Sequence, residues 1–199
     1  MALFSIFRTF ALSLHLLYKI RMINVKSLIQ LKAFARQDGA LLSLLWISSF
    51  AATTLAPASS LGNLLAIATP FFVGWRLTLF RNEALDGAIS FRRGYGYVVY
   101  TFFYASLIFA LAQALYFMYL DNGAFAGMLT EAAATLTPFY KQSGLSQQEI
   151  DATMNMMLSM KPLHWALMFM FQNILIGFCL GAPIALLCRR KPSQPVQNI

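Results

Sequence analysis

Met154, Met156, Met157 and Met160 lie close together, and His164 follows four residues after Met160. Thioether and imidazole groups suit Cu(I), but methionine also serves as a flexible apolar filler. No cysteine or second histidine joins the set, so no metal site is expected. Cys179 and Cys188 stand nine apart on one predicted helix. That spacing separates them by about 13 Å, too far for a disulfide. Chemistry inside a bilayer needs ionisable groups facing the bundle interior. With the first span starting at Ala40, no Asp, Glu, Lys or His falls in the middle of any span. Arg76 then reads as a cation snorkelling from a helix end. The expectation is no catalytic residue, no cofactor and no enzyme activity.

The polar groups left inside the apolar runs are neutral. Gln113 falls in the third run, and Gln172 with Asn173 in the fourth. Such amides bond across helices at about 1 kcal/mol or less, and Gln113 is expected to bond Gln172 or Asn173. Ser106, Ala110 and Ala114 form a small-xxx-small stripe, and Gly177 with Gly181 forms GxxxG. Both patterns let two helix backbones approach closely. Helix packing is the more economical reading of these residues, and a polar solute path is the alternative.

These residues must be carried by membrane spans. The 199 residues are 59% hydrophobic and 11% charged, against about 25% charged in a soluble domain. A span needs about 20 apolar residues, and four stretches qualify: about 40–58, 61–80, 95–120 and 163–188. The short link from Pro57 to Gly62 makes the first two an antiparallel hairpin. Pro70 and Pro183 each precede an arginine by six residues and should kink their helices. The fold class expected is an all-α, integral membrane four-helix bundle of two antiparallel hairpins.

The net charge of +8 does not indicate nucleic acid, because the cations flank apolar runs. Arg8, Lys19, Arg21, Lys26, Lys32 and Arg36 precede the first span. Arg76, Arg81, Arg92 and Arg93 flank the second connection, and Arg189, Arg190 and Lys191 close the fourth span. The connection 121–162 instead carries Asp121, Glu131, Glu149 and Asp151 against Lys141 and Lys161. The positive-inside rule then puts both termini in the cytoplasm and residues 121–162 outside. Tyr95, Tyr97, Tyr100 and Tyr104 at one end of the third span, and Tyr116 and Tyr119 at the other, suit the aromatic belts.

Residues 1–38 read as a basic N-terminal segment with an amphipathic helix on the cytoplasmic leaflet. Met22 is an alternative start, which would make 1–21 an over-extended reading. Residues 39–191 form the membrane domain, and 192–199 a cytoplasmic tail. In the outward loop, Ser146-Gln147-Gln148-Glu149 matches a capping box and predicts a helix from Gln147 to about Met160, ended by Pro162. Ala124 to Thr135 is rich in helix formers, with Pro138 and Gly144 as punctuation.

The order of these features carries a resemblance. A basic approach with Lys32 and Gly39 leads into a short hairpin. FRNEALDGAISFRRGYGYVVY precedes the long third span, and SGLSQQEIDATMNMMLSMKP leads to a fourth span closing on RRK. Over Lys32 to Lys191 this layout resembles a bacterial family catalogued as domain of unknown function 4199. Its members look like small four-span inner-membrane proteins. The family has no established activity, so the resemblance implies no catalytic residue.

The function expected is a non-enzymatic inner-membrane subunit, scaffold or anchor with a membrane or cytoplasmic protein partner. Arg92 and Arg93 are the candidate cytoplasmic contacts. A small transporter or channel-like protein, as a monomer or an oligomer, is the alternative, and an enzyme or accessory for a lipid-linked substrate comes third. Substrate, partner and oligomeric state cannot be read from these residues.

Overall fold

The computed structural model describes residues 25–56 and 58–191. The amphipathic N-terminal reading with Arg8, His15 and Lys19, the question of Met22 and the tail 192–199 lie outside the described residues. Among the described residues seven helices follow in order: α1 Val25–Leu55, α2 Leu61–Ile67, α3 Thr69–Ala84, α4 Phe91–Tyr119, α5 Ala124–Gln142, α6 Gln147–Leu158 and α7 Pro162–Cys188. Four helical stretches among the described residues are long and apolar enough to cross a membrane: α1, α2 with α3, α4, and α7. The chain is an all-α membrane bundle.

Two boundaries differ from the sequence expectation. Helix α1 does not begin after Gly39 but runs unbroken for 31 residues from Val25. The charges that seemed to bound it do not interrupt the helical ladder. Leu31, Ala35, Asp38, Leu42 and Trp46 recur at helical spacing, and all five are buried. The second span is broken. Pro70 sits in the first turn of α3, where its missing N–H is tolerated. The chain therefore restarts at Thr69 rather than kinking within one helix. Pro138 and Pro183, by contrast, lie inside α5 and α7.

Helix α4 is the axis of the bundle. Gly39 of α1 meets it so closely that an added Cβ would lie 2.8 Å from Tyr104 Cβ and 2.9 Å from the Thr101 carbonyl. A Cβ on Gly177 of α7 would likewise lie 2.5 Å from Phe102 Cβ of α4. Trp46 of α1 packs edge-on against Phe102 and Phe109 of α4, with ring centroids 5.5 and 5.7 Å apart. Helices α1 and α3 run antiparallel, joined in register by Trp46–Thr69, Asp38–Arg76 and Gln30–Ala84.

The loop between α4 and α7 is a helical hairpin of α5 and α6, and neither helix buries a residue. Its foot is tied to the bundle by Phe125, which meets Phe117 and Trp165 at 4.8 and 4.9 Å. The capping box is present: Ser146 Oγ accepts from the Glu149 N–H, and Glu149 Oε2 accepts from the Ser146 N–H at 2.8 Å. At the opposite end, Ile89 and Arg190 exchange backbone hydrogen bonds of 3.0 and 3.2 Å. That bridge pins the basic end of α7 beside the entry to α4.

Candidate functional site

The carboxylate best placed for chemistry is one the sequence reading set outside the membrane domain. Asp38 is 1% exposed, on the buried stripe of α1. Its Oδ1 accepts from Arg76 Nε at 2.6 Å and forms an ion pair with Arg76 Nη2. Its Oδ2 accepts from the Tyr97 hydroxyl. One carboxylate thus joins α1, α3 and α4. The expectation that no carboxylate stands among the packed spans is corrected, and so is Arg76 as a snorkelling cation. Apolarity had drawn the boundary at Asp38, but the partners supplied by two other helices let the charge sit in the core.

The local sequence explains how this geometry arises. Gly39, next to Asp38, has no side chain, so α1 can press onto α4 and bring the carboxylate to Tyr97. Tyr97 is fully buried and stacks on Phe80 of α3, with centroids 4.9 Å apart and planes 9° apart. Arg76 lies over the Trp75 ring at 5.5 Å, a cation–π contact on the exposed side of its guanidinium. A buried pair of this kind is costly to desolvate unless remaining lone pairs and protons are satisfied. Here the second carboxylate oxygen is used by the tyrosine.

A second polar layer lies about two turns nearer the α1 N-terminus. Gln30 Oε1 accepts from Arg93 Nη2 at 2.9 Å, and Gln30 Nε2 donates to the Ala84 carbonyl at 3.3 Å. Arg93 also lies over the Phe80 ring at 5.8 Å. Arg92 and Arg93 therefore do not act together: Arg92 is exposed, while Arg93 is half-buried and turned into the bundle. Arg81 Nη1 caps the end of α7 by donating to the Cys188 carbonyl at 2.8 Å.

Ser106 and Ala110 are buried on α4 and Ala114 is half-buried. The glycines of α7 receive larger groups than that stripe: Gly177 faces Phe102, and Gly181 faces Tyr95 and Val98. Gln113 is 3% exposed, and its Oε1 has no hydrogen-bond partner among the described residues. It is not bonded to Gln172, which is exposed, or to Asn173, which lines a groove beside Trp46. The methionines do not converge either. Met154 and Met157 face α5, while Met156 is exposed.

Sequence reasoning missed Asp38, although one signal pointed to it. It falls three residues after Ala35 and four before Leu42, within an apolar stripe of helical period. Extending the helix through the charges would have exposed the conflict. No curated protein and no solved structure matches the chain. A family model described as protein of unknown function (DUF4199) matches residues 37–190, a range that takes in the three joined spans and their carboxylate. The chain belongs to that family.

Proposed function

We propose that this membrane protein is a non-enzymatic subunit or scaffold whose buried charges hold its spans in place. The carrying observation is the closure of the Asp38 site. Both carboxylate oxygens are occupied by Arg76 and Tyr97, and Asp38 and Tyr97 are both buried. A working acid or base needs access to a substrate or a water path. This carboxylate instead has the surroundings of a structural clamp.

The α5–α6 hairpin supports a role in holding another protein. It buries nothing within the chain, yet Leu136, Phe139, Leu145 and Met156 are exposed on it. We place both termini in the cytoplasm of a bacterial inner membrane, with the hairpin outside, on the charge asymmetry of the connections. A fusion reporter at residue 145 should register the outer side, and a cytoplasmic signal there would reverse the orientation.

The test of function pairs two assays on the full chain. In mild detergent a stoichiometric protein partner should co-purify and crosslink to the hairpin. In proteoliposomes a pH-sensitive dye should report the same proton flux with and without the protein. A flux that disappears in a folded Asp38→Asn variant would make the protein a transporter instead.

A further inference from the structure

A groove of about 320 Å³ opens between α1, the α2–α3 break, α4 and α7. Its walls are mainly apolar, with Phe102, Phe109 and Ile176 among them. Polar side chains interrupt those walls, of which Ser49 and Thr53 donate to the Gly62 and Ser49 carbonyls. Asn173 stands near the middle of α7, and its carboxamide hydrogen-bonds to no described residue. Thr69 accepts from Trp46 Nε1 at 3.0 Å, and its own hydroxyl proton goes to no described residue. Asn173 brings both a donor and an acceptor to the groove.

At mid-membrane depth the lipid chains offer such groups no hydrogen bond. The groove therefore combines an apolar lining with unmet donors and unmet acceptors. A volume near 320 Å³ lies at the small end of ligand sites, roughly 300–1,000 Å³, which are mostly apolar with a few placed polar groups. A carbonyl-bearing molecule would answer only the donors of Asn173 and Thr69. A hydroxyl answers both sets, because it accepts from an amide and donates to a carbonyl.

We propose that this groove binds a membrane-dissolved apolar alcohol, its hydroxyl held by the Asn173 carboxamide and its chain against Phe102 and Ile176. Entry is lateral, from the bilayer. The site is independent of the Asp38 clamp and of the scaffold reading.

The test uses the full chain in nanodiscs with its three tryptophans replaced by 5-fluorotryptophan, and follows the ¹⁹F spectrum. The Trp46 resonance is assigned with Trp46→Phe. Titration with 1-hexanol should shift that resonance saturably, whereas hexane should give only a small, linear drift. Asn173→Leu should weaken the apparent affinity for hexanol at least about tenfold, the loss of one good hydrogen bond. Unmoved Trp75 and Trp165 resonances show that this variant is folded, and if they move, the hexanol and hexane comparison decides alone. Equal responses to hexanol and hexane, or a folded Asn173→Leu protein with unchanged affinity, would overturn the proposal.

Discussion

At the scale of single residues, the fold turns on a buried carboxylate. Asp38 is tolerated because Arg76 supplies charge and direction and Tyr97 supplies a hydroxyl to the other oxygen. Removing that hydroxyl leaves a buried acceptor short of one bond. Tyr97→Phe should lose about 1.5–3 kcal/mol of stability, the range for hydrogen bonds to charged groups, measured by denaturant unfolding in bicelles. No change would mean that Asp38 is held by Arg76 alone. None of this was legible from composition, because a charge near the end of an apolar run is normally a boundary marker. Only the spacing of Leu31, Ala35, Leu42 and Trp46 around it carries the signal. The partners lie 38 and 59 residues away in sequence, beyond the reach of any local pattern. Gln113 was legible as an intramembrane amide, but its partner was not, since pairing depends on the rotation of α4 about its axis.

Among the elements, the close approach of α4 and α7 depends on glycine at one position far more than at another. A Cβ on Gly177 would fall 2.5 Å from Phe102 Cβ, in the packed centre, whereas one on Gly74 would meet only Ile184 Cγ2 at 3.9 Å. Gly177→Ala should therefore destabilise the bundle by about 1–3 kcal/mol. Gly74→Ala should be neutral or stabilising, because alanine favours helix by up to about 1 kcal/mol over glycine. The two midpoints in one unfolding series decide the matter, and equal costs would contradict this placement of α7. Helix α6 offers a second test at this scale. Hydrogen bonds from the Ser146 backbone and then its side chain hold the Glu149 carboxyl below its ordinary value of 4.5. A depressed folded-state pKa means that the cap stabilises α6 above the unfolded value and is lost as pH falls through the folded one. The Glu149 carboxyl resonance should accordingly titrate with a midpoint under 4.5, and Ser146→Ala should move it upward. A midpoint at the ordinary value in the native chain would show that the capping box does not persist in solution. The ends of α4, α6 and α7 were legible to within a few residues because local chemistry sets them, at Ser90, Ser146 and Pro162. The start of α1 was not, because nothing caps it near Gly39.

For the whole molecule, two regions contrast. Within the spans, aromatic stacking, glycine contacts and one closed ion pair fix α1, α3, α4 and α7 against each other. Beyond them, α5 and α6 hold only each other and the bundle's edge through Phe125. A rigid membrane platform carrying an uncovered helical hairpin has the organisation of a scaffold, and the closed Asp38 site is the part of that account most exposed to test. The decisive measurement is the unfolding free energy of two variants in one bilayer mimetic. Asp38→Leu alone leaves Arg76 unpaired and should cost about 3–5 kcal/mol. Asp38→Leu with Arg76→Met and Tyr97→Phe removes every charge and should return to within about 1 kcal/mol of the native chain, as apolar replacement of buried ion pairs often does. A charge-free variant that stays as unstable as Asp38→Leu alone would contradict the clamp.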